Sequence, residues 1–166
     1  MLQPVVRRTW APRGQTPIQH SWDRHDRLSA ISALTVSPRR RRVGLYFHLE
    51  DENIQGETVA AFLVAVRRTL GRRLRVVWNR WSVHRKAARL LADRARGRIA
   101  LEWLPPYAPE LNPTEQVWTH AKYADLANFI PEDLAHLRLE VAASITDQRS
   151  TPSLLRSFFA HARLSL

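Results

Sequence analysis

A proline-rich segment late in the chain constrains its conformation more than any other feature. Four prolines occur within nine residues, at positions 105, 106, 109 and 113. Each proline fixes its own φ and disfavours α geometry in the residue before it, so the segment must form a stiff, extended loop. The loop ends in a pattern that predicts a helix, with Asn112 as N-cap, Pro113 at the first helical position and Glu115 in the first turn.

Glu115 has two interpretations at this position. The strand-like run Ile99 to Leu104 precedes the loop, so the carboxylate is held at a fixed point on a stiff support after a strand. This placement suits a catalytic or metal-binding acid. The pattern Asn112-x-x-Glu115 is also a capping box, in which the glutamate only satisfies backbone N–H groups. Local chemistry leaves both interpretations open.

Longer motifs carry a family resemblance. The run from Leu104 to Trp118 (LPPYAPELNPTEQVW), followed by Lys122, resembles the third-acid motif of bacterial insertion-sequence transposases of the mariner-like superfamily, which are DDE superfamily endonucleases. Three shorter blocks resemble other family blocks in the same order, namely RTWAPRG at 8–14, VWNRWSVH at 77–84 and NFIP at 128–131. The resemblance therefore covers nearly the whole chain.

The resemblance implies that Glu115 is the last acid of an Asp-Asp-Glu triad that binds Mg²⁺ or Mn²⁺. The family's second Asp corresponds to Asn79 here, and the 35 residues between Asn79 and Glu115 are a typical spacing. The family's first Asp lies on a strand upstream of the Trp10 block, whereas this chain has no acid before Asp23. Because an amide supplies only a neutral oxygen to Mg²⁺, we expect a truncated domain in which Glu115 alone is a weak metal ligand, without productive metal binding.

Charge indicates a nucleic-acid partner. The net charge is +11, and residues 1–100 carry 21 basic against 7 acidic side chains, while residues 101–166 carry 5 against 8. Guanidinium groups suit bidentate phosphate contacts, so the charge indicates DNA or RNA, and the family resemblance implies that the partner is DNA. The Arg39–Arg42 run follows Ser37-Pro38, and a solvated hairpin turn is an equally good interpretation of it. The candidate DNA-binding residues are Arg39, Arg40, Arg41, Arg42, His84, Arg85 and Lys122.

Other classes of site find little support. The absence of cysteine excludes disulfides and thiolate metal ligands. His20 and His25 lack partners at metal-ligand spacing, and Asp23 and Asp26 fit a solvated turn. The longest apolar run, at 59–66, is too short to span a bilayer. We expect a cytoplasmic bacterial protein, associated with the nucleoid through DNA, with no membrane partner and no small-molecule substrate.

The order of predicted elements indicates an α/β fold. Hydrophobic periodicity and end signals predict first a meander of strands at Thr9 to Ile18, Leu28 to Val36 and Val43 to Glu50. A helix at Val59 to Leu70, a strand at Leu74 to Trp78, a helix capped by Ser82 and running to Ala95, and a strand at Ile99 to Leu104 follow in chain order. After the Glu115 helix come a helix with Leu134, Leu137, Val141 and Ile145 facing inward and a last helix from Pro152 capped by Thr151.

This order is that of a ribonuclease-H-like, or integrase-like, mixed sheet flanked by helices and lacking its first central strand. We expect one partial DDE-type catalytic domain over residues 1–166, without a separate helix-turn-helix domain for binding DNA ends. Three functions fit it. The first is a transposase domain, descended from enzymes of metal-dependent DNA cleavage and strand transfer, and inactive here. The second is a non-catalytic DNA-binding or oligomerising regulator that assembles with itself or with an intact transposase. The third is a pseudogene product without function.

Overall fold

The computed structural model describes residues 7, 8, 10–15, 28–95 and 97–166. A short 3-10 turn, Pro109–Leu111, precedes the third α-helix, and a π turn, Ala121–Asp125, follows it. The strands and α-helices of these residues are β1 Ser29–Val36, β2 Val43–Glu50, α1 Gly56–Leu70, β3 Leu74–Trp78, α2 Ser82–Arg94, β4 Ile99–Trp103, α3 Thr114–His120, α4 Leu134–Ser150 and α5 Pro152–His161.

The first two strands form an antiparallel hairpin. Their register runs from Ser29 opposite Glu50 to Val36 opposite Val43. Alternation in β2 places Leu45 and Leu49 in the core, as expected for a strand with one buried face. Both strands have the predicted bounds to within one residue.

The predicted first strand of the meander, Thr9 to Ile18, is wrong for residues 10–15. These residues contain a turn in which the Gln15 N–H donates to the Pro12 carbonyl at 3.0 Å. Gly14 has a φ of 83°, and Pro12 lacks an N–H, so this part of the block does not suit a strand. Thr9 and residues 16–18 of the predicted strand lie outside the described residues, as do positions 20, 23, 25 and 26, the sites of the histidines and aspartates considered above.

The last two strands form a parallel pair joined by α2. Leu74 lies beside Ile99 and Trp78 beside Trp103, so both strands end at the same edge. The helices α1 and α2 pack on one face of this pair, while Val77 on the other face is 57% exposed. Among the described residues, no ladder joins this pair to the hairpin, so the strands form two separate two-stranded sheets.

Two hydrophobic clusters hold the elements together. The outer cluster joins the hairpin to α3, α4 and α5, and its buried members are Leu28, Leu45, Leu49, Val117, Leu126, Val141, Ile145, Leu155 and Phe158. The middle cluster joins α1, α2 and the parallel pair, and its buried members are Ile54, Val59, Ala60, Leu63, Trp78, Ala87, Leu91 and Ala95. Ile31 of β1 also packs against the middle cluster, so β1 contacts both clusters.

The helices follow the predicted order, but neither Ser82 nor Thr151 forms the expected side-chain capping bond. Ser82 is the first residue of α2 rather than its cap, and no side chain caps that helix. Thr151 precedes α5 as predicted, yet its hydroxyl donates to the Asp147 carbonyl at 3.1 Å and does not cap α5. The predicted inward face of α4 is confirmed, since Val141 and Ile145 are fully buried. No helix of the described part is long and apolar enough to cross a membrane.

Candidate functional site

The proline-rich loop begins where the parallel pair ends. The Leu104 N–H donates to the Trp78 carbonyl at 2.9 Å and so extends the ladder by one residue. Beyond it the backbone leaves the sheet, and Tyr107 adopts a left-handed φ of 57° with its side chain fully exposed. The 3-10 turn at 109–111 then leads into α3. The loop therefore carries Glu115 from the carboxyl edge of the parallel strands to the first turn of a helix.

Asn112 organises the start of α3. Its Oδ1 accepts from the Thr114 N–H at 3.3 Å, while its Nδ2 donates to Glu115 Oε1 at 3.2 Å. Asn112 has extended backbone angles and Pro113 has helical ones, although α3 begins one residue later than predicted, at Thr114. The Asn112 N–H itself donates to the Pro109 carbonyl at 3.0 Å.

These contacts distinguish the two interpretations of Glu115. A capping box requires the glutamate to accept from the Asn112 backbone N–H, but that N–H is taken by Pro109. Glu115 instead accepts from the Asn112 side chain, and its carboxylate is exposed. Glu115 is therefore an oriented, solvent-accessible carboxylate and not a backbone cap.

Asn79 follows the last residue of β3, at the same sheet edge as the start of the proline-rich loop. Its Oδ1 accepts from the Trp81 N–H at 3.2 Å, which is an Asx turn leading into α2. The amide oxygen is thus engaged by the backbone and carries no charge. Asn79 serves the strand-to-helix turn directly, and a carboxylate at this position could accept the same bond.

An aromatic stack lies beside Asn79. The His84 ring stacks on Trp78 with centroids 4.9 Å apart, and Trp78 stacks on Trp103 at 5.3 Å. The Nδ1–H of His84 donates to the Asn79 carbonyl at 3.2 Å, because a carbonyl can only accept. Burial lowers the pKa of His84, and the bond to Asn79 opposes this effect. His84 is therefore neutral near pH 7, with Nε2 as an acceptor, so it does not offer a phosphate a positive charge.

The lowered pKa of His84 makes folding sensitive to acid. The unfolded chain takes up the proton more readily, so this contribution to the free energy of unfolding is fully present above pH of about 6.5 and is lost as the pH falls. In His84→Phe, which keeps a ring against Trp78 but cannot titrate, we expect a smaller loss of stability between about pH 7.5 and 5.5. Urea unfolding at both pH values measures the difference, and equal losses in both proteins would contradict the coupling.

An open cleft of about 830 Å³ lies in front of Glu115. The loop and the start of α3 supply Pro109, Glu110, Leu111, Glu115 and Gln116 to its lining. His161 and Arg163 supply the rest of the lining from the end of α5. Two carboxylates thus share this cleft with an imidazole and a guanidinium. Asn79 is not among the lining residues.

The Arg39–Arg42 run forms the hairpin turn, as one of its two interpretations predicts. The Arg40 N–H donates to the Ser37 carbonyl at 2.7 Å, and Arg40 has a left-handed φ of 55°. Arg156 of α5 donates to the carbonyls of Arg40 and Arg41 at 3.2 and 2.8 Å. The turn is thereby fixed to α5, while its side chains stay exposed.

The other two predicted DNA-binding residues lie on different elements. Arg85 is an exposed residue in the first turn of α2, near Asn79. Lys122 is half-buried in the π turn that follows α3, and the Leu126 N–H closes this turn onto the Ala121 carbonyl at 2.9 Å. Helix α2 begins shortly after Asn79, whereas the π turn begins six residues after Glu115.

A polar network anchors the back of α3. His120 Nε2 lies 3.5 Å from Asp125 Oδ1, and Ser144 Oγ donates to Asp125 Oδ2 at 2.6 Å. Gln148 Nε2 donates to Ser144 Oγ at 3.2 Å and to the Val117 carbonyl at 3.4 Å. Ser144 and Gln148 are buried, so these bonds form in a poorly solvated environment and fix the helix that carries Glu115.

The described residues do not make a complete divalent-cation site. Within them, no group of three or more His, Asp or Glu side chains could hold a metal ion. Glu115 offers an anionic ligand with one oxygen bonded to Asn112, and Asn79 offers a neutral oxygen already bonded to Trp81. Mg²⁺ is normally held by carboxylates and waters in near-octahedral geometry, and this pair falls short of that requirement.

Sequence reasoning missed the residues that the end of α5 contributes. His161 and Arg163 line the cleft, and Arg156 fixes the basic turn, yet none of them lies in a recognisable motif. They reach the site because α5 packs on the outer cluster through Leu155 and Phe158. Only the packing of α5 brings these residues to Glu115, and no local pattern encodes that packing.

Comparisons with known proteins agree with the family resemblance and with the predicted fold class. A family model described as DDE superfamily endonuclease matches residues 1–138. The crystal structure of the Mos1 strand transfer complex matches with a TM-score of 0.54 and 14% sequence identity, and the match covers 98% of this chain and 50% of that chain. The chain thus spans half the length of that solved relative, whose fold confirms the predicted class. No curated protein matches significantly.

Proposed function

Because the chain belongs to the DDE superfamily endonuclease family, we propose that it is a transposase-type domain that binds DNA. Its site descends from one that cleaves DNA and transfers strands, and Glu115 is the third acid of that site. Asn79 occupies the position of the second acid. The observation that carries the proposal is the placement of Glu115, exposed in the first turn of α3, directly after the loop that leaves the parallel strands.

The residues at the Glu115 and Asn79 positions support DNA binding without DNA cleavage. DDE superfamily endonucleases generally use divalent metals, and Mg²⁺ or Mn²⁺ would be the ion here. Glu115 is the one anionic ligand that we assign to it, while the Asn79 amide is neutral and bonded to Trp81. We therefore propose a single domain that retains the DNA-binding surface of the family and lacks productive metal chemistry.

The proposed DNA surface includes the basic turn, defined as residues 39–42, together with Arg85 and Lys122. The side chains of the turn are exposed and its backbone is fixed by Arg156, so its guanidinium groups can contact phosphates from a rigid support. His84 supports this surface through the aromatic stack rather than by charge. Such a domain acts on the nucleoid in the bacterial cytoplasm, either alone or in a mixed assembly with an intact transposase.

Duplex binding tests this proposal. We expect the purified chain to bind a fluorescently labelled duplex of arbitrary sequence, with an affinity that falls steeply between about 50 and 200 mM salt because counterions are released. Neutralising the turn in Arg39→Gln/Arg41→Gln should weaken binding and lower the slope of log K against log salt by about 0.9 for each phosphate that is no longer neutralised. Arg67→Gln/Arg68→Gln, on α1, removes the same charge and is the control. A flat salt dependence, or no binding at low salt, would remove the case for DNA.

A further inference from the structure

The end of α5 has an unusual backbone. The Leu164 N–H donates to the Phe159 carbonyl and the Arg163 N–H to the Ala160 carbonyl, each at 2.9 Å. These two bonds form a Schellman motif, whose left-handed residue is usually glycine because a Cβ is disfavoured there. Here that residue is Arg163, with a φ of 58°. A strained position occupied by a long, charged side chain calls for a functional explanation.

Arg163 lines the cleft that also contains Glu115. Its side chain is exposed, and the described part of the chain contains no ion-pair or hydrogen-bond partner for its guanidinium. A favourable interaction with the helix dipole would explain a basic residue anywhere in the last turn. That interaction does not explain why arginine occupies the left-handed position itself.

The basic turn lies next to the same segment. Arg40 Nη1 donates to the Ser165 carbonyl at 3.0 Å. Since consecutive Cα atoms are about 3.8 Å apart, Arg163 is within about 8 Å of Ser165 along the chain. The basic turn and Arg163, which are far apart in sequence, therefore belong to one surface that reaches Glu115.

We propose that Arg163 is a DNA-phosphate contact at the entrance to the Glu115 cleft, continuing the basic turn. Arg163 lines the cleft, and the paired N–H groups of its guanidinium can bind two oxygens of one phosphate there. DNA that follows the basic turn would then pass Arg163 before it reaches Glu115. This inference rests on the proposed function, and it adds a C-terminal residue to a surface otherwise drawn from the first hundred positions and Lys122.

Arg163→Gly tests the inference without disturbing the fold, because glycine is the residue that this backbone position favours. We expect its melting temperature to equal or exceed that of the parent. Its affinity for a labelled duplex of about 20 base pairs, at about 50 mM salt, should fall about 5- to 10-fold, and the salt slope should fall by about 0.9. Arg163→Asn, which also tolerates a left-handed φ, should behave in the same way.

Arg72→Gly is the matched control. Arg72 is exposed and precedes β3, at the edge of the parallel pair opposite to Asn79, so the substitution removes one charge far from the proposed path. We expect its affinity to fall by no more than about 2-fold. If Arg163→Gly and Arg72→Gly matched in affinity and slope while the parent bound DNA, the inference would be wrong and the proposed function would stand. If the parent itself did not bind, both would be wrong.

Repeating the Arg163→Gly substitution in a Glu115→Gln protein shows whether Arg163 contacts a DNA phosphate or only neutralises Glu115. In Glu115→Gln, the effect of Arg163→Gly should persist at about its full size if Arg163 contacts DNA. If the effect vanished in that background, Arg163 would serve only to neutralise Glu115, and the inference would be overturned.

Discussion

Two changes made together are expected to give this protein metal-dependent DNA nicking. One is an N-terminal fusion of a β-strand that carries an Asp, and the other is Asn79→Asp. Each of the two sheets has only two strands within the described residues, so β1 and β3 each pair along one edge. Ile31 of β1 packs against the middle cluster, to which Trp78 of β3 also belongs. A strand inserted between β1 and β3 would set its Asp beside position 79.

Within the described residues, each of these two strands carries a buried polar side-chain atom without a partner. Ser32 Oγ of β1 and Trp78 Nε1 of β3 are buried without a hydrogen-bond partner in the described part of the chain. Such groups are costly to leave unpaired. A strand between β1 and β3 would pair with the backbone groups along their open edges, and its polar side chains could bond to these two atoms. Its carboxylate would also join the one that Asn79→Asp introduces and that of Glu115, which completes a set of three acids.

The size of the expected effect follows from the way such acids cooperate. Members of one catalytic unit are strongly non-additive, since losing one costs nearly as much as losing all. We expect each repair alone to remain near background in a plasmid-nicking assay with Mg²⁺ or Mn²⁺, and both together to exceed either by about 10³-fold or more. The unmodified chain should show no nicking. If the unmodified chain cleaved DNA, and Glu115→Ala abolished that cleavage, the proposal that the site is catalytically inactive would be contradicted.

The fusion also has a control that separates folding from chemistry. The same strand with its Asp replaced by Ala should stabilise the protein equally, because pairing with β1 and β3 does not involve metal. We expect both fusions to raise the melting temperature by about 5 °C or more. An unchanged melting temperature would show that the strand does not enter the sheet. A well-folded double repair without nicking would instead remove Glu115 from the catalytic role.

Leu155→Ala is expected to lower the free energy of unfolding strongly. Leu155 is fully buried in the outer cluster, where α5 meets the hairpin and Val117 of α3. Truncating a fully buried leucine costs about 2–5 kcal/mol, because transfer energy is forfeited and a cavity is left behind. Leu139→Ala makes the same chemical change on α4 at a side chain that is 68% exposed, and it should cost less than about 0.5 kcal/mol. Urea unfolding of both variants measures the difference, and equal losses of stability would show that the outer cluster is not a close-packed core.

Much of the fold could be predicted because its elements carry strong local patterns. The alternation of β2, the apolar face of α1 and the inward residues of α4 all appear in the structure where periodicity places them. The family resemblance, which the family model confirms, rests on the long motif around Glu115. These features depend on residues that are close together in sequence.

The sequence-based predictions fail where a side chain or backbone group has more than one possible hydrogen-bond partner. Ser82 could cap α2 by its residue type, but the helix begins at Ser82 itself, and the Arg85 N–H already donates to the Trp81 carbonyl at 3.1 Å. Asn112 and Glu115 match a capping box, yet Pro109 takes the Asn112 N–H and leaves the carboxylate free of the backbone. Arg163 reaches Glu115 only because α5 folds back against the hairpin. Sequence patterns show which groups can bond, and the fold decides which partner each one finds.

The two hydrophobic clusters give the chain an order of assembly. The middle cluster draws its buried residues from one continuous stretch, 54–95, whereas the outer cluster joins residues 28–49 to residues 117–158. Closing the outer cluster requires a loop of some 70 residues, whose entropy cost is smaller once its interior is already compact. We therefore infer that α1, β3 and α2 fold first and bring the ends of the outer part together. In this order of folding, the compact segment 54–95 brings together the two parts of the chain whose packing then forms the cleft around Glu115.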